Sequence, residues 1–165
     1  MFGRTEHAFI SDDEVTRAEF ASLLVRILDL QPDLETPPYF GDVSADSWYY
    51  KEVQTAKNYG VIEGYEDGTF HPGQPVSRAE MAAMMANVTR HEFPQRTPHR
   101  VPAIASTFKD YRNMEAAYTE PAALMHHTGL MEGYPDFTFH AERKATRAEA
   151  VTVLERFLRF VEFIR

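Results

Sequence analysis

Residues 64–72 read Gly64-Tyr65-Glu66-Asp67-Gly68-Thr69-Phe70-His71-Pro72, and Ser77-Arg78-Ala79-Glu80 follow shortly after. An altered copy occupies residues 133–140 and is followed by Thr146-Arg147-Ala148-Glu149. A shorter copy near the start contains Phe9 and Thr16-Arg17-Ala18-Glu19. The copies recur at intervals of roughly sixty residues, which is typical of one structural repeat. The sequence therefore predicts a repeat protein.

The spacing of apolar residues predicts an all-α chain of about five helices, joined by loops with room for very short strands. Pro121 lacks the N–H that a helix interior needs, so the fourth helix is predicted to begin near Thr119, with the proline in its first turn. The predicted helices span residues 16–28, 47–58, 77–90 and 119–129, and the last runs from residue 146 onward.

Proline-rich segments at 31–38 and 92–106 are predicted to be linkers, because they show no helical periodicity. They divide the chain into a partial first repeat at 1–30, a second repeat at 39–91 and a third at 107–165. The first repeat supplies only its second half, with Gly3 placed where Gly64 lies in the second and Phe9 where Phe70 lies.

Composition excludes several classes of function. The net charge of the 165 residues is −8, which argues against binding to nucleic acid or to an anionic membrane. The chain has no cysteine, no apolar run long enough to cross a bilayer and no apolar stretch at its start that could direct secretion. If the protein works outside the cell, its signal is expected to lie beyond this sequence.

No catalytic motif, metal site or cofactor site is predicted. The adjacent His126 and His127 would point about 100° apart on a helix, so they do not form the i, i+4 pair of a metal site. No combination of nucleophile and base and no phosphate loop stands out, and the chain is expected to be non-catalytic.

The recurring Ser/Thr-Arg-Ala-Glu predicts three helix starts, each with a capping box between its hydroxyl residue and its glutamate. The arginine is different, because capping does not need a cation at the positive end of a helix. Two interpretations remain open for Arg17, Arg78 and Arg147. They could pair with an acid of a neighbouring repeat, such as Asp42 or Asp110, or they could bind an anionic ligand.

Three more residues are candidates for ligand binding. Trp48, the only tryptophan, could stack on a sugar ring or belong to the core. Asp42 could cap a helix or meet an arginine, and Tyr65 could present its hydroxyl to a ligand or pack. Phe70 and Phe139 are predicted to be core residues. Gly68 is predicted to have a positive φ, which puts the shape of the third-repeat loop in question, because Phe137 replaces that glycine.

In these residues the chain resembles the S-layer homology family. The resemblance rests on the Phe-x-Asp start at Phe40 and Asp42, the early aromatic Trp48, the Gly-Tyr-x-Asp-Gly-x-Phe-x-Pro loop, and the Thr-Arg-Ala-Glu helix start. It is nearly complete in the second repeat, whereas the third lacks the loop glycine, the proline and the tryptophan. The resemblance implies three modules in a pseudo-threefold arrangement, the first of them truncated here.

The resemblance also implies a function. Such modules anchor proteins to secondary polymers of the bacterial cell wall, often to sugars that bear a pyruvate ketal. We therefore expect an extracellular, non-catalytic anchor that binds an anionic polysaccharide in grooves between repeats through Arg17, Arg78 and Arg147. Trp48, Asp42 and Tyr65 would shape the best groove, near the second repeat. The alternative is a protein-interaction or assembly module, with a homo-oligomer formed through the truncated first repeat.

Overall fold

A computed structural model describes residues 12–32, 36–103 and 107–163 of the chain. In these ranges it contains α1 (Arg17–Ile27), α2 (Tyr50–Asn58), α3 (Arg78–Glu92), α4 (Ala116–His127) and α5 (Arg147–Phe160). Two single turns of 3₁₀ helix lie at Pro94–Arg96 and Tyr111–Asn113. The described ranges hold three isolated backbone bridges and no strand. The predicted all-α fold is confirmed, and none of the described helices is long and apolar enough to cross a bilayer.

Three helices start with the predicted capping box. In α1, α3 and α5 the hydroxyl of the N-cap residue accepts from the backbone N–H of the glutamate three positions later, and that glutamate accepts from the N-cap N–H. These bonds satisfy backbone donors that the first turn of a helix leaves without a partner. The N-caps are Thr16, Ser77 and Thr146.

The residues just before these helices form a closed ring of backbone hydrogen bonds. Val15 N–H donates to the carbonyl of Ala145 over 3.0 Å, Ala145 N–H donates to Val76 over 2.9 Å, and Val76 N–H donates to Val15 over 2.9 Å. All three side chains are fully buried. Because each repeat donates to one neighbour and accepts from the other, the ring gives the molecule the predicted pseudo-threefold arrangement.

The other helices cover this centre in pairs, with α2 packed on α1 and α4 packed on α3. The core aromatic residues Phe70 and Phe139 are fully buried, as predicted. The ring of each lies 5.3 Å, between centroids, from the phenylalanine that begins its repeat: Phe70 stacks on Phe40, and Phe139 is tilted against Phe108. Burying one such ring stabilises a fold by about 1.5–3 kcal/mol.

The prediction for the start of α4 was wrong. The helix begins at Ala116 and contains Pro121 in its interior. A proline there removes the hydrogen bond that the carbonyl of Ala117 would accept, and its ring crowds that carbonyl. The residues from Pro121 to Met125 are buried, so packing offsets that loss.

The loop of the third repeat has the same shape as the loop of the second repeat. Gly68 has a φ of +80°, as predicted, and Phe137 adopts nearly the same conformation with a φ of +62°. The turn bonds correspond: Tyr65 N–H donates to Thr69 over 2.8 Å, and Tyr134 N–H donates to Thr138 over 2.8 Å. The loop therefore keeps its shape although Phe137 is 72% exposed and occupies a conformation that favours glycine.

The proposed repeat boundaries stay a prediction, and the part of the first repeat that holds Gly3 and Phe9 lies outside the described residues. The start of the segment predicted as the second linker is packed against helices. Phe93 meets Phe157 of α5 edge-on at 5.5 Å, and the Thr97 hydroxyl donates to the Thr89 carbonyl over 2.8 Å.

Candidate functional site

Each capping glutamate also joins its repeat to the preceding one. One oxygen of Glu80 accepts from its own N-cap, and the other accepts from Arg17 Nη1 over 2.7 Å. Glu149 Oε1 likewise lies 3.4 Å from Arg78 Nη1, and Glu19 Oε1 lies 3.6 Å from Arg147 Nη1. The three arginine–glutamate pairs thus run from the first repeat to the second, from the second to the third, and from the third to the first.

The arginines are buried and hold backbone carbonyls as well. Arg17 donates to the carbonyls of Phe70 over 2.7 Å and Glu63 over 3.3 Å, and Arg78 donates to Phe139 over 2.9 Å and Glu132 over 2.8 Å. Their exposed fractions are 4% and 6%. Pairing with a neighbouring repeat therefore occurs, but with its capping glutamate and not with Asp42 or Asp110. Assignment of the arginines to a ligand stays a prediction.

Aspartates 42 and 110 hold the loops instead. Asp42 accepts from the backbone N–H groups of Phe70 and His71 over 2.8 and 2.7 Å. Asp110 accepts from Phe139 and His140 over 2.9 Å each. Neither aspartate caps α2 or α4, whose N-caps have no side-chain hydrogen bond. The carboxylates are used this way because they satisfy two successive loop N–H groups that no helix or strand can serve.

Tyr65 completes the junction between the first two repeats. Its hydroxyl donates to Glu80 over 2.6 Å, and its ring lies 4.9 Å from the Arg17 guanidinium carbon. Burial, together with the bond to Glu80, raises the pKa of Tyr65 to about 12. Burial alone would raise the pKa of Glu80, but the Ser77 N–H, Tyr65 and Arg17 outweigh it, so the pKa lies below its usual 4.5. Both groups thus keep one protonation state at neutral pH.

A groove of about 410 Å³ opens over this junction. We call it groove A and define it by lining residues from three repeats: Arg17, Gly64, Tyr65, Glu80, Met84 and Tyr118. An adjoining recess of about 620 Å³ shares Tyr65 and Tyr118 and is strongly acidic. Its charged residues are Glu66, Asp67, Glu80, Glu115, Glu142 and Lys144.

A second groove, of about 290 Å³, lies at the next junction. We call it groove B and define it by Arg78, Gly133, Tyr134, Glu149, Val153 and Arg156. Tyr134 repeats the role of Tyr65, with its hydroxyl 3.4 Å from Glu149 and its ring 5.0 Å from the Arg78 guanidinium carbon. The two grooves are therefore two versions of one site.

The glycine before each tyrosine is required by close approach. A Cβ added at Gly64 would lie 2.3 Å from Cε1 of Phe40, and one at Gly133 would lie 2.1 Å from Cε1 of Phe108. Neither distance is possible without moving the ring. The glycines therefore allow each loop to lie against the start of its own repeat, which places Tyr65 and Tyr134 in the grooves.

The structure does not bring Trp48 and Tyr65 into one groove. Trp48 is 60% exposed, which excludes the core interpretation, and it meets only Tyr49 edge-on at 5.3 Å among the described ring contacts. It precedes α2, which packs on α1, whereas groove A lies between α3 and α4. Ala117 takes the corresponding position in groove A. The role of Trp48 as a sugar platform stays a prediction.

Sequence reasoning missed the second role of the capping glutamates and the contribution of Tyr118. One signal could have revealed the glutamates. Every copy has an arginine and a glutamate at the same two positions. If the arginine of each copy pairs with the glutamate of the next, the three ion pairs form a closed cycle. Tyr118 carries no such signal, since it enters groove A only through the packing of α4 on α3.

Comparison with known proteins now identifies the fold. The sequence model of the S-layer homology domain family matches residues 39–82 and 107–151, which together make up more than half of the chain. The chain belongs to the S-layer homology family. The matched segments contain the groove tyrosines Tyr65 and Tyr134 and two of the three arginines that join repeats.

Relatives of this S-layer homology chain match over almost its whole length. An "Endoglucanase" of Bacillus sp. (strain KSM-635) is 28% identical over 94% of the chain and 16% of its own length. The "S-layer protein sap" of Bacillus anthracis is 28% identical over 93% of the chain and 18% of its own length. A "Cellulosome-anchoring protein" of Acetivibrio thermocellus is 26% identical over 91% of the chain and 33% of its own length. The chain thus spans a minor part of each relative.

Proposed function

We propose that this chain is a non-catalytic module for anchoring at the bacterial cell surface, which binds an anionic polysaccharide of the cell wall in the grooves between its repeats. Family membership supports the anchoring, as do relatives named for surface layers and for cellulosome anchoring. The endoglucanase is matched over only 16% of its length, in a region that it has in common with proteins named for surface layers. That sharing favours an attachment role over a catalytic one.

One observation carries the proposal of the grooves. Grooves A and B are built at two junctions from the same arginine, glycine, tyrosine and glutamate. A polymer with a repeating unit is a natural occupant of a site that recurs along a protein, because linked sites raise the effective concentration for each other. Half-exposed tyrosine rings beside polar groups suit sugars, which present both apolar faces and hydroxyls.

The buried arginines would act as the floor of each groove. Arg17 and Arg78 hold two loop carbonyls and a glutamate, so they orient the loop and the tyrosine that a sugar would contact. Ligand contact would then fall mainly on the more exposed lining residues. Arg147, whose Nη1 lies 3.6 Å from Glu19, would serve the same purpose at the third junction.

The test is co-sedimentation with purified wall sacculi, before and after the secondary polymer is stripped from them. Ala83→Trp fills groove A and Thr152→Trp fills groove B, because each residue lines its groove. Val151→Trp is the matched control, since Val151 neighbours Thr152 on α5 but is 45% exposed and lines neither groove.

We expect wild type and Val151→Trp to sediment with intact sacculi and not with stripped ones. The two groove variants should bind more weakly while keeping the wild-type melting temperature. Failure of the wild type to bind sacculi from several bacteria with surface layers would overturn the proposal, and so would groove variants that bind as well as the control.

The alternative of a protein-assembly module depends on the first repeat, part of which lies outside the described residues. It stays a prediction, and light scattering after size-exclusion chromatography tests it. A mass of one chain at all concentrations would contradict a homo-oligomer.

A further inference from the structure

The hydroxyl of Tyr65 in groove A has a fixed hydrogen-bond direction. It lies 2.6 Å from Oε1 of Glu80, and an ionised carboxylate can only accept, so the hydroxyl must donate its proton there. The lowered pKa of Glu80 keeps this carboxylate ionised at neutral pH. Arg17 approaches the same oxygen over 2.7 Å and holds it in place. A ligand that reaches the Tyr65 hydroxyl therefore meets an acceptor, because only the lone pairs of its oxygen remain.

The hydroxyl of Tyr134 in groove B has the opposite direction. Nη1 of Arg143 donates to it, and a guanidinium group has no acceptor, so the tyrosine oxygen must accept. The same Nη1 lies 2.5 Å from Oε1 of Glu149, whereas the Tyr134 hydroxyl is 3.4 Å from that oxygen. The proton of the Tyr134 hydroxyl is thus held only by a long bond. A ligand that reaches this hydroxyl therefore meets a donor.

The difference comes from one side chain at equivalent positions of the two loops. The N–H of Arg17 donates to the carbonyl of Gln74 over 2.9 Å, and the N–H of Arg78 donates to the carbonyl of Arg143 over 2.9 Å. The N–H groups of Gln74 and Arg143 each donate over 3.1 Å to the histidine carbonyl three positions earlier. Within the part of the chain that the structure describes, the Gln74 side chain makes no hydrogen bond to Tyr65. The backbone is therefore the same, and only Arg143 reaches the tyrosine of its groove.

We propose that Arg143 reverses the hydrogen-bond polarity of groove B. Groove A then requires a donor from the polymer, such as a sugar hydroxyl, whereas groove B takes a sugar oxygen that need not carry a proton, such as an ether or acyl oxygen. This rests on the proposed function of the grooves and adds to it the residue that decides which polar group each groove selects.

A ligand oxygen without a proton is unfavourable in groove A. It would face the lone pairs of Tyr65, whose proton cannot turn to the ligand without leaving Glu80. Burial, together with the bond to Glu80, raises the pKa of Tyr65 to about 12, in keeping with a firmly held proton. In groove B the Tyr134 proton can turn from its 3.4 Å bond to the ligand. Loss of one neutral hydrogen bond weakens binding about two- to tenfold.

The probe is a fragment of one repeating unit of the wall polysaccharide, released from purified sacculi and used before and after O-methylation of its hydroxyl groups. Methylation removes each hydroxyl donor and keeps its oxygen as an acceptor. Binding is followed by NMR titration, in which amides of Gly64 and Tyr65 report groove A and those of Gly133 and Tyr134 report groove B. The added methyl groups increase the bulk of the probe in both grooves, so the two grooves are compared with each other.

Two variants exchange the side chains between the grooves. Arg143→Gln gives the third repeat the residue of the second, and Gln74→Arg makes the reciprocal change, both at exposed positions. Arg112→Gln removes the same charge as Arg143→Gln from an exposed site that lines neither groove. It therefore controls for net charge. The melting temperature of each variant is compared with that of wild type to verify the fold.

In wild type we expect methylation to weaken binding at groove A about two- to tenfold more than at groove B. Arg143→Gln should remove this difference by making groove B as sensitive to methylation as groove A. Gln74→Arg should remove it in the other way, by making groove A as tolerant as groove B. Arg112→Gln should leave the wild-type difference unchanged.

Equal weakening at the two grooves of wild type would overturn the inference and leave the proposed function standing, because the unmodified fragment would still bind. A wild-type difference that persists in both Arg143→Gln and Gln74→Arg would overturn it as well, since another feature would then set the preference. Binding of the unmodified fragment at one groove alone also contradicts it. Wild type that binds neither sacculi nor the unmodified fragment overturns both the inference and the proposed function.

Discussion

Replacing Arg17 with methionine removes the guanidinium that joins the first repeat to the second and keeps an extended apolar side chain. The side chains of Arg17 and Glu80 are 5% and 11% exposed, so the change leaves a nearly buried carboxylate without its cation. Removing one partner of a buried ion pair costs about 3–5 kcal/mol. Glu80 keeps the N–H of Ser77 and the hydroxyl of Tyr65 as donors, which places the loss near the lower end, at about 3 kcal/mol.

The assay is urea unfolding at neutral pH, followed by the helical circular dichroism signal. In a chain of this size the same loss lowers the melting temperature by roughly 6–12 °C. Arg26→Met is the matched control on α1. Its ion pair with Glu52 is at 2.6 Å, but the Arg26 side chain is 48% exposed, so the loss should stay below about 1 kcal/mol.

The pH dependence adds a second criterion. When Glu80 is protonated at low pH, no buried charge is left alone, so the deficit of Arg17→Met relative to wild type should shrink. A deficit that is no larger than that of Arg26→Met at neutral pH would refute the reasoning that the buried arginine joins the repeats.

Three further predictions concern local features. Gly64→Ala should lower the free energy of unfolding by about 1–3 kcal/mol in urea, because its Cβ would lie 2.3 Å from Cε1 of Phe40, whereas Gly41→Ala, with no atom within 4 Å, should change it by less than about 0.5 kcal/mol. Equal effects would contradict the close-approach argument. Phe137→Asn should raise the free energy of unfolding by roughly 0.5–1 kcal/mol, and the melting temperature with it, because asparagine tolerates a positive φ better than phenylalanine does. No gain in melting temperature would mean that packing of the Phe137 ring offsets the strain. The pKa of Glu80 lies below its usual 4.5 in the folded chain, so its contribution to stability is present above that pH and is lost as the pH falls further. Acid unfolding curves should show this loss in wild type and less of it in Glu80→Gln, and identical curves would argue against it.

Much of the fold could be predicted because its signals are local. The capping boxes need only a hydroxyl residue and a glutamate three positions apart, and the helices they begin start where the pattern places them. The positive φ of Gly68 follows from turn chemistry in the same way. Pro121 was misjudged because burial of α4 outweighs a local preference against proline in a helix.

The site was harder to predict because its contacts join distant parts of the chain. Arg17 and Glu80 are 63 positions apart, and the residues next to each in sequence give no signal that the two form an ion pair. The repeat shows which positions are equivalent in each copy, but it does not show which side chains of different copies are in contact. For the same reason Trp48 and Tyr65 look like neighbours in sequence, although Tyr65 lines groove A and Trp48 does not.

Some positions differ in charge between repeats, and comparison of the shared motif alone does not reveal them. Arg143 lies outside the residues that the copies have in common, so attention to the motif passes over it. Its position is nevertheless equivalent to that of Gln74, so the second and third repeats differ in charge at this position.

In the proposed function, a wall polymer binds in the grooves between repeats. The most direct measurement is NMR mapping of fragments released from sacculi on the isotope-labelled chain, with every shifted amide placed on the structure. We expect the largest shifts at Gly64, Tyr65, Gly133 and Tyr134, with little change at Val151 on the outer face of α5. Shifts that fall on the outer faces of the helices and spare these four residues would contradict the account.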